Sequence, residues 1–150
     1  MGKFRRSYMI VAFAVIAPCH AAVCEAATAE IRNLKQPGAF AIEASPSGAA
    51  FQKQGRIEQR TADGWRTVFD EFSLAEDCGV VATLPACVAL PLGAVLRPVP
   101  WNGYTCNGQC PRPCKKNFYR PPGTFRLVLT SCEGEWVTGV PFHMGPRTKR

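Results

Sequence analysis

Arg56-Ile57-Glu58-Gln59-Arg60 and Trp65-Arg66-Thr67-Val68-Phe69 stand on either side of Ala62-Asp63-Gly64. Asp-Gly between two runs of strand-favouring residues marks a tight turn, because glycine accepts the positive φ that the reversal needs. Residues 56–69 therefore read as an antiparallel hairpin, and the rest of the chain is read from it. Upstream, Ala39-Phe40-Ala41-Ile42-Glu43 is a candidate strand ended by Pro46-Ser47-Gly48. Downstream, Phe72 to Asp77 reads as a short helical turn. Cys87–Leu90, Ala94–Val99, Thr124–Ser131 and Glu135–Phe142 read as further strands between proline and glycine punctuation. Short strands at near-regular spacing predict an all-β protein, a small antiparallel β-sandwich.

The N-terminus has a different grammar. A basic head, Lys3, Arg5 and Arg6, precedes the apolar run Tyr8 to Ala17, which is too short for a stable bilayer anchor. This is the build of a helical signal peptide over residues 1–29, with Ala27-Thr28-Ala29 fitting a peptidase and the cut before Glu30. A cut after Ala21 competes with it. The later cut removes Cys19 and Cys24 and leaves an even six cysteines, which suits an oxidising compartment. The expectation is a periplasmic or secreted protein with one domain over residues 30–142, a disordered basic tail over 143–150, and no stable membrane span after cleavage.

The run Leu90-Pro91-Leu92-Gly93, then Trp101-Asn102-Gly103, then Pro121-Pro122-Gly123-Thr124-Phe125-Arg126-Leu127 resembles the closing half of bacterial secreted immunoglobulin-like domains of the hook-capping and proteinase-inhibitor types. Gly64-Trp65 is similar to the Asp-Gly-x-Trp segment of the same domains. The resemblance implies an immunoglobulin-like sandwich. It is interrupted by the stretch Tyr104 to Tyr119, which carries three cysteines of its own.

The chain has 18 Lys and Arg against 11 Asp and Glu. Removing the signal takes Lys3, Arg5, Arg6 and Glu25, leaving 15 against 10, a net charge of +5. Between Cys78 and Cys132 there is no acidic residue, while Arg97, Arg112, Lys115, Lys116, Arg120 and Arg126 are all present. A field of one sign favours anionic surfaces such as an envelope component, and export argues against nucleic acid.

Cys78, Cys87, Cys106, Cys110, Cys114 and Cys132 are expected to form disulfides. The residues leave the pairing open among fifteen possibilities. Two arrangements suit the spacing: a small Cys78 to Cys87 loop, and a bond from Cys132 to a cysteine of the 106–114 loop. Cys106, Cys110 and Cys114 recur every fourth residue, but Pro111 and Pro113 oppose the helix that would put them on one metal-binding face. No metal and no cofactor are expected, and a redox pair at Cys106 and Cys110 lacks a helix to activate it.

Catalysis finds no foothold either. His143 is the one imidazole after cleavage, and the pairs Asp70-Glu71 and Glu76-Asp77 read as solvated surface. The expected function is a non-catalytic binding domain for a protein or an anionic envelope component. Its recognition loop is expected to carry Tyr104, Arg112, Lys115, Lys116, Phe118, Tyr119 and Arg120. A secreted inhibitor of a protease or lysozyme, and a thiol-based metal or redox protein, are the alternatives. Trp65, Trp101 and Trp136 are read as core residues, since tryptophans beside strand turns commonly fill small sandwiches.

Overall fold

A computed structural model describes residues 29–45, 48–77, 84–104, 119–120 and 122–146. Residues 1–28 of the expected signal segment, Cys78, and the cysteine-rich loop from 105 to 118 lie outside them. The described residues contain ten strands and no helix. These are β1 (Ala29–Asn33), β2 (Phe40–Ala44), β3 (Ala49–Gln52), β4 (Gln54–Thr61), β5 (Gly64–Ser73), β6 (Cys87–Leu90), β7 (Val95–Leu96), β8 (Gly123–Thr130), β9 (Trp136–Thr138) and β10 (Phe142–Met144).

All pairings are antiparallel. One sheet has the order β1-β2-β7, a second runs β10-β8-β4-β5 with β9 also on β8, and a third pairs β3 with β6. The hairpin read around Ala62-Asp63-Gly64 is β4-β5, closed by the pair Thr61 and Gly64. Gly64 has φ of 117°, a conformation that a side chain would resist, and the Thr61 hydroxyl donates to its carbonyl at 2.9 Å. Only Lys53 separates β3 from β4, so a single bent strand joins the small sheet to the large one.

Alternation explains the core. Phe125, Leu127 and Leu129 of β8 and Ile57 of β4 are fully buried on one face and meet Phe40 and Ile42 of β2. Trp101 sits at the centre, fully buried, stacked on Phe69 at 6.4 Å and edge-on to Phe125 at 5.2 Å. Its indole N–H donates to the Tyr104 carbonyl at 2.9 Å, and its backbone N–H donates to the Gly38 carbonyl at 2.9 Å. A Cβ on Gly38 would lie 2.1 Å from the Trp101 carbonyl oxygen, and φ there is +80°. Glycine is required at this approach on both counts.

Several expectations are corrected. Phe72 to Asp77 forms no helical turn: β5 continues through Phe72 and Ser73, which pair with Gly55 and Gln54, because Phe72 and Leu74 both reach the core. Tertiary burial outweighs the local helical preference. The strand read over Ala94–Val99 contracts to Val95–Leu96, and Glu135–Phe142 divides into β9 and β10 around Gly139. A Cβ on Gly139 would come within 2.8 Å of Ile31, so the chain narrows there to let β1 cross. β10 runs on through His143 and Met144, past the expected start of the tail, and β1 begins at Ala29, which pairs with Ala44.

The disulfide is also corrected. Cys87 is bonded to Cys132, so neither a Cys78 to Cys87 loop nor a bond from Cys132 into the 106–114 loop forms. The reason is topological: β3 pairs with β6 and also meets the end of β8, where Phe51 bridges Ser131 and the Cys132 N–H donates to the Ala50 carbonyl at 3.0 Å. Two sulfurs distant in sequence are thereby brought to a Cα separation of 6.0 Å, within ordinary disulfide range.

Candidate functional site

The described part of the expected recognition loop is its neck. Tyr104 and Tyr119 form an isolated bridge, half-buried, with their rings edge-on at 5.4 Å. The Tyr119 hydroxyl donates to the Gly145 carbonyl at 3.1 Å. Arg120 turns inward: its Nη2 donates to the Val68 carbonyl at 2.9 Å, and its backbone N–H donates to the Gly103 carbonyl at 2.9 Å. These three residues anchor the loop to the sheets. Arg112, Lys115, Lys116 and Phe118, together with Cys106, Cys110 and Cys114, lie outside the described residues.

A different constellation stands on the outer face of the large sheet. Register brings Glu58 of β4 opposite both Arg126 of β8 and Thr67 of β5, Arg60 opposite Trp65, Arg56 opposite Val128, and Thr130 opposite Trp136 of β9. The side chains form a continuous row. The Arg56 guanidinium lies 4.3 Å from the Trp136 ring centroid, and the Arg126 guanidinium lies 4.3 Å from that of Trp65. Between them Glu58 accepts from Arg56 Nε at 2.8 Å with one oxygen and from Arg126 at 2.8 Å with the other. Trp136, Arg56, Glu58, Arg126 and Trp65 thus cross four strands as one ladder of cation–π contacts and ion pairs. Val128 stands on the same face and is only 1% exposed, although it is not part of the central core.

Glu58 is the hinge of the ladder electrostatically. Burial raises its pKa, but hydrogen bonds and charge from Arg56 and Arg126 prevail and hold the carboxyl below its ordinary value of 4.5. A group depressed on folding stabilises the fold fully above its ordinary pKa and loses that contribution as pH falls through the folded value. Glu58→Gln is expected to cost about 1.5–3 kcal/mol at neutral pH, since two guanidinium groups lose a charged acceptor. The variant's loss should shrink as pH falls through the depressed folded-state pKa of Glu58. Urea midpoints measured from pH 3 to 7 check this, and a loss that is constant across that range contradicts the assignment.

Beside the ladder lies a shallow groove of about 240 Å³, lined by Gln52, Gln54, Gly55, Arg56, Asp70 and Thr130. Trp136 adjoins it through Arg56 and through its register partner Thr130. A neighbouring groove of about 330 Å³ shares Gln52 and Gln54 and exposes the Cys87–Cys132 bond next to Lys53. The chain matches no family model, no curated protein and no solved structure. The chemistry of the face itself therefore carries the functional reading.

Trp136 is the residue that the sequence reading misplaced. Trp101 is in the core as expected and Trp65 is half-buried, but Trp136 is 69% exposed. The signal was present in parity: Trp136 and Thr138 fall on one face of β9, and Val137 falls on the other and packs against the core. The same parity sets Arg56 and Glu58 apart from Ile57. What parity does not show is which residues of four different strands meet.

Proposed function

We propose that this chain is a non-catalytic binding domain of the bacterial envelope or its surroundings, and that the outer face of the β10-β8-β4-β5 sheet is its recognition surface. The single observation that carries the reading is the exposed Trp136, fixed in place by Arg56 at the rim of a polar groove. A large exposed indole in one arrangement offers contact area with little left to order on binding, which is why tryptophan and arginine dominate binding energy at interfaces. Export supports an envelope ligand: the basic head and short apolar run at the N-terminus are those of a secretory signal, and the Cys87–Cys132 bond suits an oxidising compartment. The arrangement of β-sheets is read as an immunoglobulin-like sandwich on the strength of the Leu90 to Leu127 motifs. Arg112, Lys115, Lys116 and Phe118 are proposed as further ligand contacts.

Co-sedimentation of the purified protein with isolated cell-wall sacculi tests the reading. Trp136→Ala is expected to weaken binding by about 30-fold, the scale of a central tryptophan contact. Val140→Ala trims an apolar residue that is 60% exposed away from the ladder, and should leave binding unchanged. Equal sedimentation of wild type and Trp136→Ala overturns the assignment of the face.

A further inference from the structure

We infer that the groove beside Trp136 takes one hydroxyl-rich sugar ring of a longer polysaccharide chain; this rests on the reading of the same face as the recognition surface. The lining decides the ligand class. Arg56 offers donors alone, Asp70 offers acceptors alone, and Gln52, Gln54 and Thr130 offer both. A phosphate or sulfate would meet the Asp70 carboxylate, and an ammonium group would meet the Arg56 guanidinium. A ring of hydroxyls satisfies both at once, because each hydroxyl donates to one and accepts from the other.

Shape points the same way. The groove, at about 240 Å³, falls below the ~300 Å³ at which pockets begin to enclose a free small molecule. A polymer that lies across a surface needs only a shallow seat for one unit. The next unit along then reaches Trp136, whose indole is 69% exposed and offers an apolar face to the C–H side of a sugar ring. An extended peptide is served less well here. It would seek the free backbone groups of a sheet edge, and Arg56 and Thr130 of the groove stand on β4 and β8, strands that are paired on both sides.

The geometry is also prepared before any ligand arrives. Arg56 is held by Glu58 through its Nε at 2.8 Å and by stacking on Trp136, which fixes the plane of its terminal nitrogens at the groove. No acceptor meets those terminal nitrogens among the described residues. Asp70 is exposed on β5, so its conversion to the amide alters the acceptor without disturbing packing.

Isothermal titration of the full mature chain with a neutral chitin tetrasaccharide tests the inference, with polygalacturonate as the anionic comparison and a proline-rich extended peptide as the peptide comparison. Saturable binding of the tetrasaccharide is expected, weakened about tenfold by Asp70→Asn and by more than tenfold by Trp136→Ala. Binding of polygalacturonate or of the peptide in preference to the tetrasaccharide overturns it. So does tetrasaccharide binding that Asp70→Asn leaves unchanged. If Trp136→Ala abolishes sedimentation with sacculi while no oligosaccharide binds, the sugar assignment fails and the face assignment stands; if Trp136→Ala sediments as wild type does, both fail.

Discussion

Trp101→Ala is expected to cost about 3–5 kcal/mol, a large share of the roughly 5–15 kcal/mol that holds a domain of this size together. Trp101 is fully buried and touches the rings of Phe69, Phe125 and Phe142, so its removal opens a cavity against β5, β8 and β10 of the large sheet. The loss is more than volume. Its indole N–H also donates to the Tyr104 carbonyl at the neck of the cysteine-rich loop, and that hydrogen bond goes with the ring. Trp101→Phe separates the two effects: it keeps an aromatic ring in place and should cost only about 1–3 kcal/mol. Urea unfolding followed by far-ultraviolet circular dichroism checks both values. Equal midpoints for Trp101→Ala and wild type would remove Trp101 from the centre of the core.

Loss of the Cys87–Cys132 bond is the second large expectation. The bonded residues are 45 apart in sequence, and in the chain-entropy account a closed loop of that length removes about 4 kcal/mol of freedom from the unfolded state. The bond also ties β6, and through it β3, to the end of β8. The Cys87→Ser and Cys132→Ser double variant is therefore expected to lose about 4 kcal/mol, read as a lower urea midpoint. Replacing both residues avoids a lone thiol that would be free to mispair. A change under about 1 kcal/mol would mean that the sheets hold the small β3-β6 pair without the sulfur link.

The all-β class and the β4-β5 hairpin were legible because they depend on neighbours in sequence: Asp63-Gly64 needs no distant partner to make a turn. β8 was legible for the same reason, since Phe125, Leu127 and Leu129 alternate with Arg126 and Val128. The disulfide partner of Cys87 was not legible, because it depends on β3 lying between β6 and the end of β8, a fact of topology. β1 and β3 escaped notice because Ala-rich and mixed sequences such as Ala49-Ala50-Phe51-Gln52 gain strand character only by pairing. Of the candidate site, single residues could be assigned to a face by parity, but their union could not. Trp136 and Arg56 are 80 positions apart in the chain and touch only because β9 and β4 flank β8 on opposite sides.

Strands β9 and β10 occupy one edge of β8, with Gly139, Val140 and Pro141 breaking the line between them. The amide of Asn33 donates to the carbonyls of Val140 at 2.9 Å and Pro141 at 3.3 Å, and Pro141 has no N–H to offer. Each uninterrupted piece of that edge is 3 residues long. Such an edge cannot template the strand of a second molecule, so the break works against intermolecular zippering and aggregation. It does so where Val140, an apolar side chain left in water, would otherwise invite it.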